Sequence, residues 1–240
     1  MKVKIGNIDV NYIQYGEGKD IVLLHGWGQN IEMMKPLGDP LSSHFRITIL
    51  DLPGFGQTST PETPWTIYKY EEFLEHFLQE IGVENPILMG HSFGGRVAIL
   101  YASLNIVPKL ILFGAPCIRH EEKLSLKVRM LKSAKKLPGM NKVGDFMKNY
   151  IGSRDYKAAS PIMRETLVKV VNEDLSSAAL KITCPTLLIW GDNDEEAPLE
   201  EAKELESIME DAGLIVLKGC SHYAYLEALN QVLSILNNFL

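Results

Sequence analysis

No stretch of this sequence reaches the run of about 18 apolar residues that a membrane-crossing helix needs, so no membrane span is expected. The opening residues, Met1-Lys2-Val3-Lys4-Ile5, pass directly into strand-like alternation. A secretory leader would instead show a basic segment followed by an apolar core, so the expectation is an unexported, cytoplasmic protein. Cysteine is scarce: Cys117, Cys184 and Cys220 are odd in number and widely spaced, which suggests neither a disulfide framework nor a zinc site. Glycine patterns of the Gly-x-Gly-x-x-Gly type and phosphate-binding loops are absent as well. No metal and no organic cofactor is therefore expected. An excess of basic charge is also lacking, since the net charge is −6 and the isoelectric point about 5.6, and no nucleic-acid motif accompanies the lysines.

What is present is a chain of 240 residues with 46% hydrophobic content, enough to bury a sizeable core as one domain with an insertion. Apolar patterning predicts strands at Val3–Ile5, Val10–Tyr15, Ile21–Leu24 and Arg46–Leu50, with a helix at about Met33–Leu41. Phe73, Leu74, Phe77, Leu78 and Ile81 recur at helical spacing and predict a helix over about Tyr68–Ile81. A strand at Pro86–Met89 with its following helix comes next, then a strand at Leu110–Phe113. The alternation stops after about Pro116 and resumes at Pro185. It closes with strands at Thr186–Trp190 and Leu214–Leu217 and helices at Leu199–Met209 and Ala224–Leu240. Strands alternating with helices imply a mostly parallel sheet, here of eight strands, covered on both faces.

Between the apolar run Pro86-Ile87-Leu88-Met89 and the helical pattern from Arg96 lies Gly90-His91-Ser92-Phe93-Gly94-Gly95. A serine between strand and helix, with glycines two before and two after, fits the nucleophile elbow Gly-x-Ser-x-Gly. The sharp turn pushes the hydroxyl outward, and side chains at the glycine positions would clash with the neighbouring strand and helix. The amide of Phe93 would then point to where an oxyanion forms. The plainer reading is a glycine-rich turn carrying an incidental serine, which leaves the rest of the pattern unexplained.

A serine hydroxyl needs a base, and the chain has six histidines. With an elbow of this kind the acid follows the serine and the histidine comes last, on a late loop. His222 meets that order, just after the strand Leu214–Leu217. His25 precedes the serine, His91 adjoins it, His76 lies in a helical pattern, and His44 and His120 read as surface residues. The acid should lie between Ser92 and His222 at the end of a strand. Thr186–Trp190 is followed by Gly191-Asp192-Asn193-Asp194-Glu195-Glu196-Ala197-Pro198, where four acids crowd one loop and spacing alone does not choose.

Together these stretches resemble the α/β-hydrolase superfamily over essentially the whole length. The resemblance rests on His25-Gly26-Trp27-Gly28, Asp51-Leu52-Pro53-Gly54-Phe55-Gly56, Gly90–Gly95, Trp190-Gly191-x-x-Asp194-x-x-x-Pro198 and Ser221-His222, in that order. It implies the α/β-hydrolase fold and a Ser92–His222–Asp194 triad, the acid being the residue four after the tryptophan and four before the proline. It further implies that the backbone amides of Trp27 and Phe93 form the oxyanion hole, and that Asp51 ties down the turn after it. Asp192 is left as a turn residue. The interval 117–183 falls where this family carries a helical cap, inserted into a core of 1–116 and 184–240. That interval holds 14 basic and 7 acidic residues, against 10 and 23 in the remainder; it could steer an anionic substrate or partner, the plainer reading being a solvated lysine surface that keeps the interval soluble and attracted to its acidic base.

The implied activity is carboxylic ester hydrolysis through an acyl-enzyme on a small-molecule substrate. The His-Gly-Trp-Gly motif resembles small bacterial esterases, including those acting on methyl esters of acyl carrier protein, so an acidic carrier is a candidate partner. The chain departs from that group in having His91 rather than tryptophan before the serine. A second expectation is hydrolysis of a carbon–carbon bond in a diketone-type ring-cleavage product. Against it, Tyr223 stands after His222 where that group would carry tryptophan. A third is a small-molecule receptor on the same fold, without turnover.

Overall fold

The computed structural model describes residues 1–119 and 159–240. Eight strands form one sheet: β1 (Lys2–Ile5), β2 (Ile8–Tyr15), β3 (Lys19–Leu24), β4 (Phe45–Leu50), β5 (Ile87–His91), β6 (Leu110–Phe113), β7 (Thr186–Gly191) and β8 (Ala212–Leu217). Their spatial order is β1-β2-β4-β3-β5-β6-β7-β8. β1 pairs with β2, and β2 with β4, in antiparallel sense, while the strands from β4 through β8 run parallel.

The strand sequences explain this arrangement. Ile21–Leu24 and Leu110–Phe113 are continuous apolar runs because helices cover both faces of the sheet. Successive side chains then enter two separate cores. Ile21 and Leu23 of β3 join Ile47 and Ile49 of β4 on one face, while Val22, Leu24 and Leu50 face the other. On the first face lie helices α1 (Ile31–Leu41), α7 (Ala224–Glu227) and α8 (Leu229–Phe239), through Met34, Leu37, Tyr225, Val232 and Leu236. On the second lie α2 (Ile67–Glu80), α3 (Phe93–Leu104) and α6 (Leu199–Ile208), through Leu74, Phe77, Val97, Ala98, Ala202 and Leu205.

The structure departs from the sequence reading in one helix break and at several element ends: β2 and β3 begin two residues earlier, and β5 runs on to His91. The helix expected over Ala224–Leu240 is broken at Ala228, whose φ of −119° and ψ of 39° are not helical. β8 starts two residues earlier than its apolar run, because Ala212 and Gly213 pair with Thr186 and Leu187 of β7. Of the interval 117–183, residues 120–158 lie outside the described residues, so His120 and most of the basic interval are not located. Its described end carries α4 (Pro161–Asn172) and α5 (Ser176–Ala179). No helix among the described residues is long and apolar enough to cross a membrane.

Candidate active site

β5 is flanked by β3 and β6, and its last residue precedes Ser92. Ser92 has φ 49° and ψ −114°, in the left-handed half of backbone space that a residue bearing a Cβ rarely enters. Such a conformation costs on the order of 1–3 kcal/mol and persists only where the surroundings enforce it. Here they do. The Ser92 N–H donates to Phe113 O of β6 at 2.9 Å, and Ser92 O accepts the first bond of α3 from Arg96 N at 3.1 Å.

The glycines around the serine are required by contact. A Cβ on Gly90 would lie 2.6 Å from Gly95 Cα, and one on Gly94 would lie 2.4 Å from Leu24 O and 2.6 Å from His25 O. α3 therefore begins against the end of β3. Phe93, first residue of α3, has an amide with no acceptor inside the helix and sits at its positive end. The loop after β3 approaches the same point. Gln29 N–H closes a turn onto Gly26 O at 3.3 Å, Gly28 takes φ 71°, and Trp27 lies between them. The Trp27 ring meets Phe93 and Phe55 edge-on, with centroids at 5.3 and 4.8 Å. The half-buried Trp27 side chain is thus a packed wall beside the serine.

Asp194 and His222 come from the loops after β7 and β8. His222 Nδ1 lies 2.8 Å from Asp194 Oδ2 and 3.1 Å from Oδ1, and both side chains are buried. Asp194 Oδ1 also accepts from the amides of Glu196 at 2.9 Å and Ala197 at 2.8 Å, so its orientation is fixed. The Trp190 indole N–H donates to Ala197 O at 2.8 Å and anchors the loop from the core side. The pair packs on Gly114, where a Cβ would come 3.0 Å from Asp194 Oδ2 and 3.1 Å from His222 Nδ1. Gly114 follows Phe113, the residue that holds the Ser92 amide, so β6 brings Ser92 and the pair side by side. Among the described residues no hydrogen bond joins the Ser92 hydroxyl to His222. The Nε2 atom has a Glu196 carboxylate oxygen at 3.5 Å.

Asp192, the competing acid of that loop, is exposed and accepts from Gly219 N at 2.6 Å, a turn-holding contact away from the imidazole. Asp51 accepts from Ile31 N, Asn11 Nδ2 and Gln57 N, each at 2.8 Å, and so ties the turn after β4 to two neighbouring elements. His25 is buried with Nδ1 at 2.7 Å from Gly26 O and Nε2 accepting from Leu52 N at 3.0 Å, which defines a neutral ring. Burial holds its pKa down at about 4. His44 and His76 are exposed.

His91 and Glu196 were not singled out by the sequence. The His91 ring lies 4.8 Å from the ring of His222, and its Nε2–H donates to His222 O at 3.0 Å. Burial keeps it neutral, with a pKa of about 3, and among the described residues its Nδ1 has no hydrogen-bond partner. Its Nδ1 lies where a Cβ on Gly26 would be 2.7 Å away, which explains glycine at that position. The available signal was adjacency alone: His91 next to Ser92, and Glu196 two residues after Asp194. Among the described residues, no group of three or more His, Cys, Asp or Glu is arranged to hold a metal ion.

A family model described as the alpha/beta hydrolase fold matches residues 20–143. The pimeloyl-[acyl-carrier protein] methyl ester esterase of Nitrosospira multiformis is 29% identical, over 92% of this chain and 94% of that protein. The 2-hydroxy-6-oxo-6-(2'-aminophenyl)hexa-2,4-dienoic acid hydrolase of Metapseudomonas resinovorans is 24% identical, over 94% of this chain and 85% of that protein. The crystal structure of the enol-lactonase from Burkholderia xenovorans superposes with a TM-score of 0.77 at 21% identity, covering 100% of this chain and 99% of that one. The match over more than half of the chain, on a sheet of this order and sense, shows that the protein belongs to the α/β-hydrolase family.

Proposed function

We propose that the protein is a serine esterase that cleaves a carboxylic ester through an acyl-enzyme on Ser92, His222 and Asp194. The observation that carries the reading is the enforced left-handed Ser92 at the end of β5, beside a buried and oriented Asp194–His222 pair. Ser92 Oγ attacks the acyl carbon while His222 Nε2 takes the hydroxyl proton. Asp194 holds the imidazole in the tautomer that leaves Nε2 free to accept, and stabilises the imidazolium that forms. The amides of Trp27 and Phe93 receive the developing oxyanion. His222 then returns the proton to the departing alcohol oxygen, and a water activated by the same imidazole releases the acid and restores Ser92.

The esterase relative supports an ester substrate and, through its carrier-protein name, an acidic carrier as a partner of the basic interval. The dienoic acid hydrolase relative favours a second reading, carbon–carbon bond hydrolysis on the same three residues. A chain-length series of p-nitrophenyl esters, with a fluorophosphonate probe and a ring-cleavage dienoate run in parallel, separates the two. Ester turnover that scales with titrated sites supports the esterase, turnover of the dienoate alone supports the second reading, and stoichiometric binding without turnover supports a receptor. Ser92→Ala should abolish labelling and lower turnover by about 10⁴ or more with the fold intact. Asp194→Asn should cost roughly 10³–10⁴, because the histidine loses its orienting acceptor. Asp192→Asn should cost little, and the reverse ranking would move the acid's role to Asp192.

A further inference from the structure

The imidazole of His222 lies between two carboxylates of one loop, and the two differ in kind. Asp194, with a side chain 1% exposed, holds Nδ1. Glu196, 63% exposed, places Oε2 at 3.5 Å from Nε2 on the opposite edge of the ring. The backbone beneath Glu196 is held, not loose: its amide donates to Asp194 Oδ1, as does that of Ala197, whose carbonyl is held in turn by the Trp190 indole. The carboxylate that orients the base thus also fixes the root of the second one. Nε2 is the atom that must hand a proton to the departing group, whose oxygen comes within about 2.6–3.2 Å of it. A carboxylate beside Nε2 therefore lies within reach of the leaving group.

We infer that Glu196 is a specificity-determining residue that selects for a neutral or cationic leaving alcohol and against an anionic one. The inference rests on the site proposed above and adds to it the charge preference of one half of the substrate. A cationic centre two carbons beyond the ester oxygen would lie within about 5–8 Å of the Glu196 carboxylate, taking the hydrogen-bond reach of Nε2 as the starting point. At that separation and this exposure the attraction supports roughly a 3- to 10-fold preference at low salt, no more, because water screens it. The aromatic wall of Trp27, Phe55 and Phe93 carries no compensating charge. Among the described residues the other titratable groups against the imidazole are Asp194, which holds Nδ1, and the rings of His91 and Tyr223, with centroids at 4.8 and 5.7 Å.

The test compares the choline ester with the ester of 3,3-dimethylbutanol, an uncharged alcohol of the same shape, on whichever acyl chain the p-nitrophenyl series favours. The wild type should show a kcat/KM for the choline ester about 3- to 10-fold above that for its neutral counterpart, declining as salt is raised. Glu196→Gln should bring the ratio to about one, Glu196→Lys should invert it, and Glu196→Asp should restore part of it. Rates on the neutral ester should change much less than the ratio, which a merely structural role of Glu196 would not produce. A ratio that Glu196→Gln and Glu196→Lys both leave unchanged overturns the inference. Ser92→Ala separates the two levels: loss of both hydrolyses with an unaltered ratio in the Glu196 variants rejects the role of Glu196 alone. Hydrolysis that survives Ser92→Ala rejects the site itself.

Discussion

Three histidines of one sheet edge show how environment alone assigns different tasks to one residue type. His25 spends both ring nitrogens on backbone groups, His91 spends one on the carbonyl of His222, and His222 gives Nδ1 to Asp194 and turns Nε2 toward Glu196. Chain order singled out His222 in the sequence, because the base must follow the acid. The environments of His25 and His91 were not legible locally, because Leu52, which donates to His25 Nε2, lies 27 residues away and His222, whose carbonyl holds His91, lies 131 residues away. Both of these rings are buried and neutral, with pKa values of about 4 and about 3, against about 6.5 in an unfolded chain. Between pH 6.5 and about 4 the unfolded chain therefore binds protons that the folded one refuses. Stability should fall as pH falls through that window, by up to ~1.4 kcal/mol per pH unit for each ring. Urea unfolding at pH 7 and pH 5 should differ by on the order of 3–4 kcal/mol, with His25→Asn or His91→Asn each removing about half of that difference. An unfolding midpoint that does not move between those pH values would mean that the rings protonate inside the fold.

At the scale of elements, the periodicities that located the strands and helices are those of residues facing one of the two cores, and they were legible for that reason. α1 keeps its helix through Pro36 and Pro40 because Ile31, Met34, Leu37 and Leu41 bind it to the sheet. The break at Ala228 was not legible, since residues 224–230 contain neither glycine nor proline. Nor was the attachment of α4, which depends on Arg96, a buried charge inside the otherwise apolar α3. Its guanidinium donates to Pro116 O at 2.7 Å, to Val170 O at 2.8 Å and to Glu173 O, the latter two at the carbonyl end of α4. A cation there complements the helix dipole and satisfies carbonyls that have no partner within the helix. α4 is further held at its flank, where Thr166 Oγ1 accepts from Trp65 N at 3.1 Å and Glu173 Oε2 from Ile67 N at 2.7 Å. Arg96→Met keeps the stem and deletes the donors, leaving three carbonyls short of a partner. The expected loss is about 2–4 kcal/mol in urea unfolding. Hydrogen exchange should quicken first in the amides of α4, while those of β5 and β6 stay protected. Uniform loss across the sheet would show that Arg96 supports the core as a whole rather than the seat of α4.

For the whole molecule, the sequence exposed the fold through the order of five short motifs, each marking the carboxyl end of a strand where a functional loop begins. It also exposed a division of charge that no single contact explains. The interval 117–183 carries an excess of seven positive charges and the remainder an excess of thirteen negative ones. Lys132, Lys135 and Lys136, the centre of that excess, lie outside the described residues, so the prediction about them rests on charge alone. A basic segment beside a site draws in an anionic acyl group or an acidic carrier over about a Debye length, near 10 Å at 0.1 M salt, and salt shortens that reach. Glu196 exerts the opposite sign on the leaving-group side, so the two effects are separable by where the substrate carries its charge. With the leaving group fixed as p-nitrophenol, a glutarate half-ester and a valerate ester differ mainly in one terminal carboxylate. kcat/KM for the glutarate should fall steeply from low to high salt while that for the valerate stays nearly level. Lys132→Gln, Lys135→Gln and Lys136→Gln together should produce the same loss at low salt and spare the neutral ester. Glu196→Gln should leave this acyl-side salt dependence in place, because its carboxylate acts across Nε2. Equal salt dependence for the two esters would reduce the lysines to solvated surface and remove the charge argument for an acidic carrier.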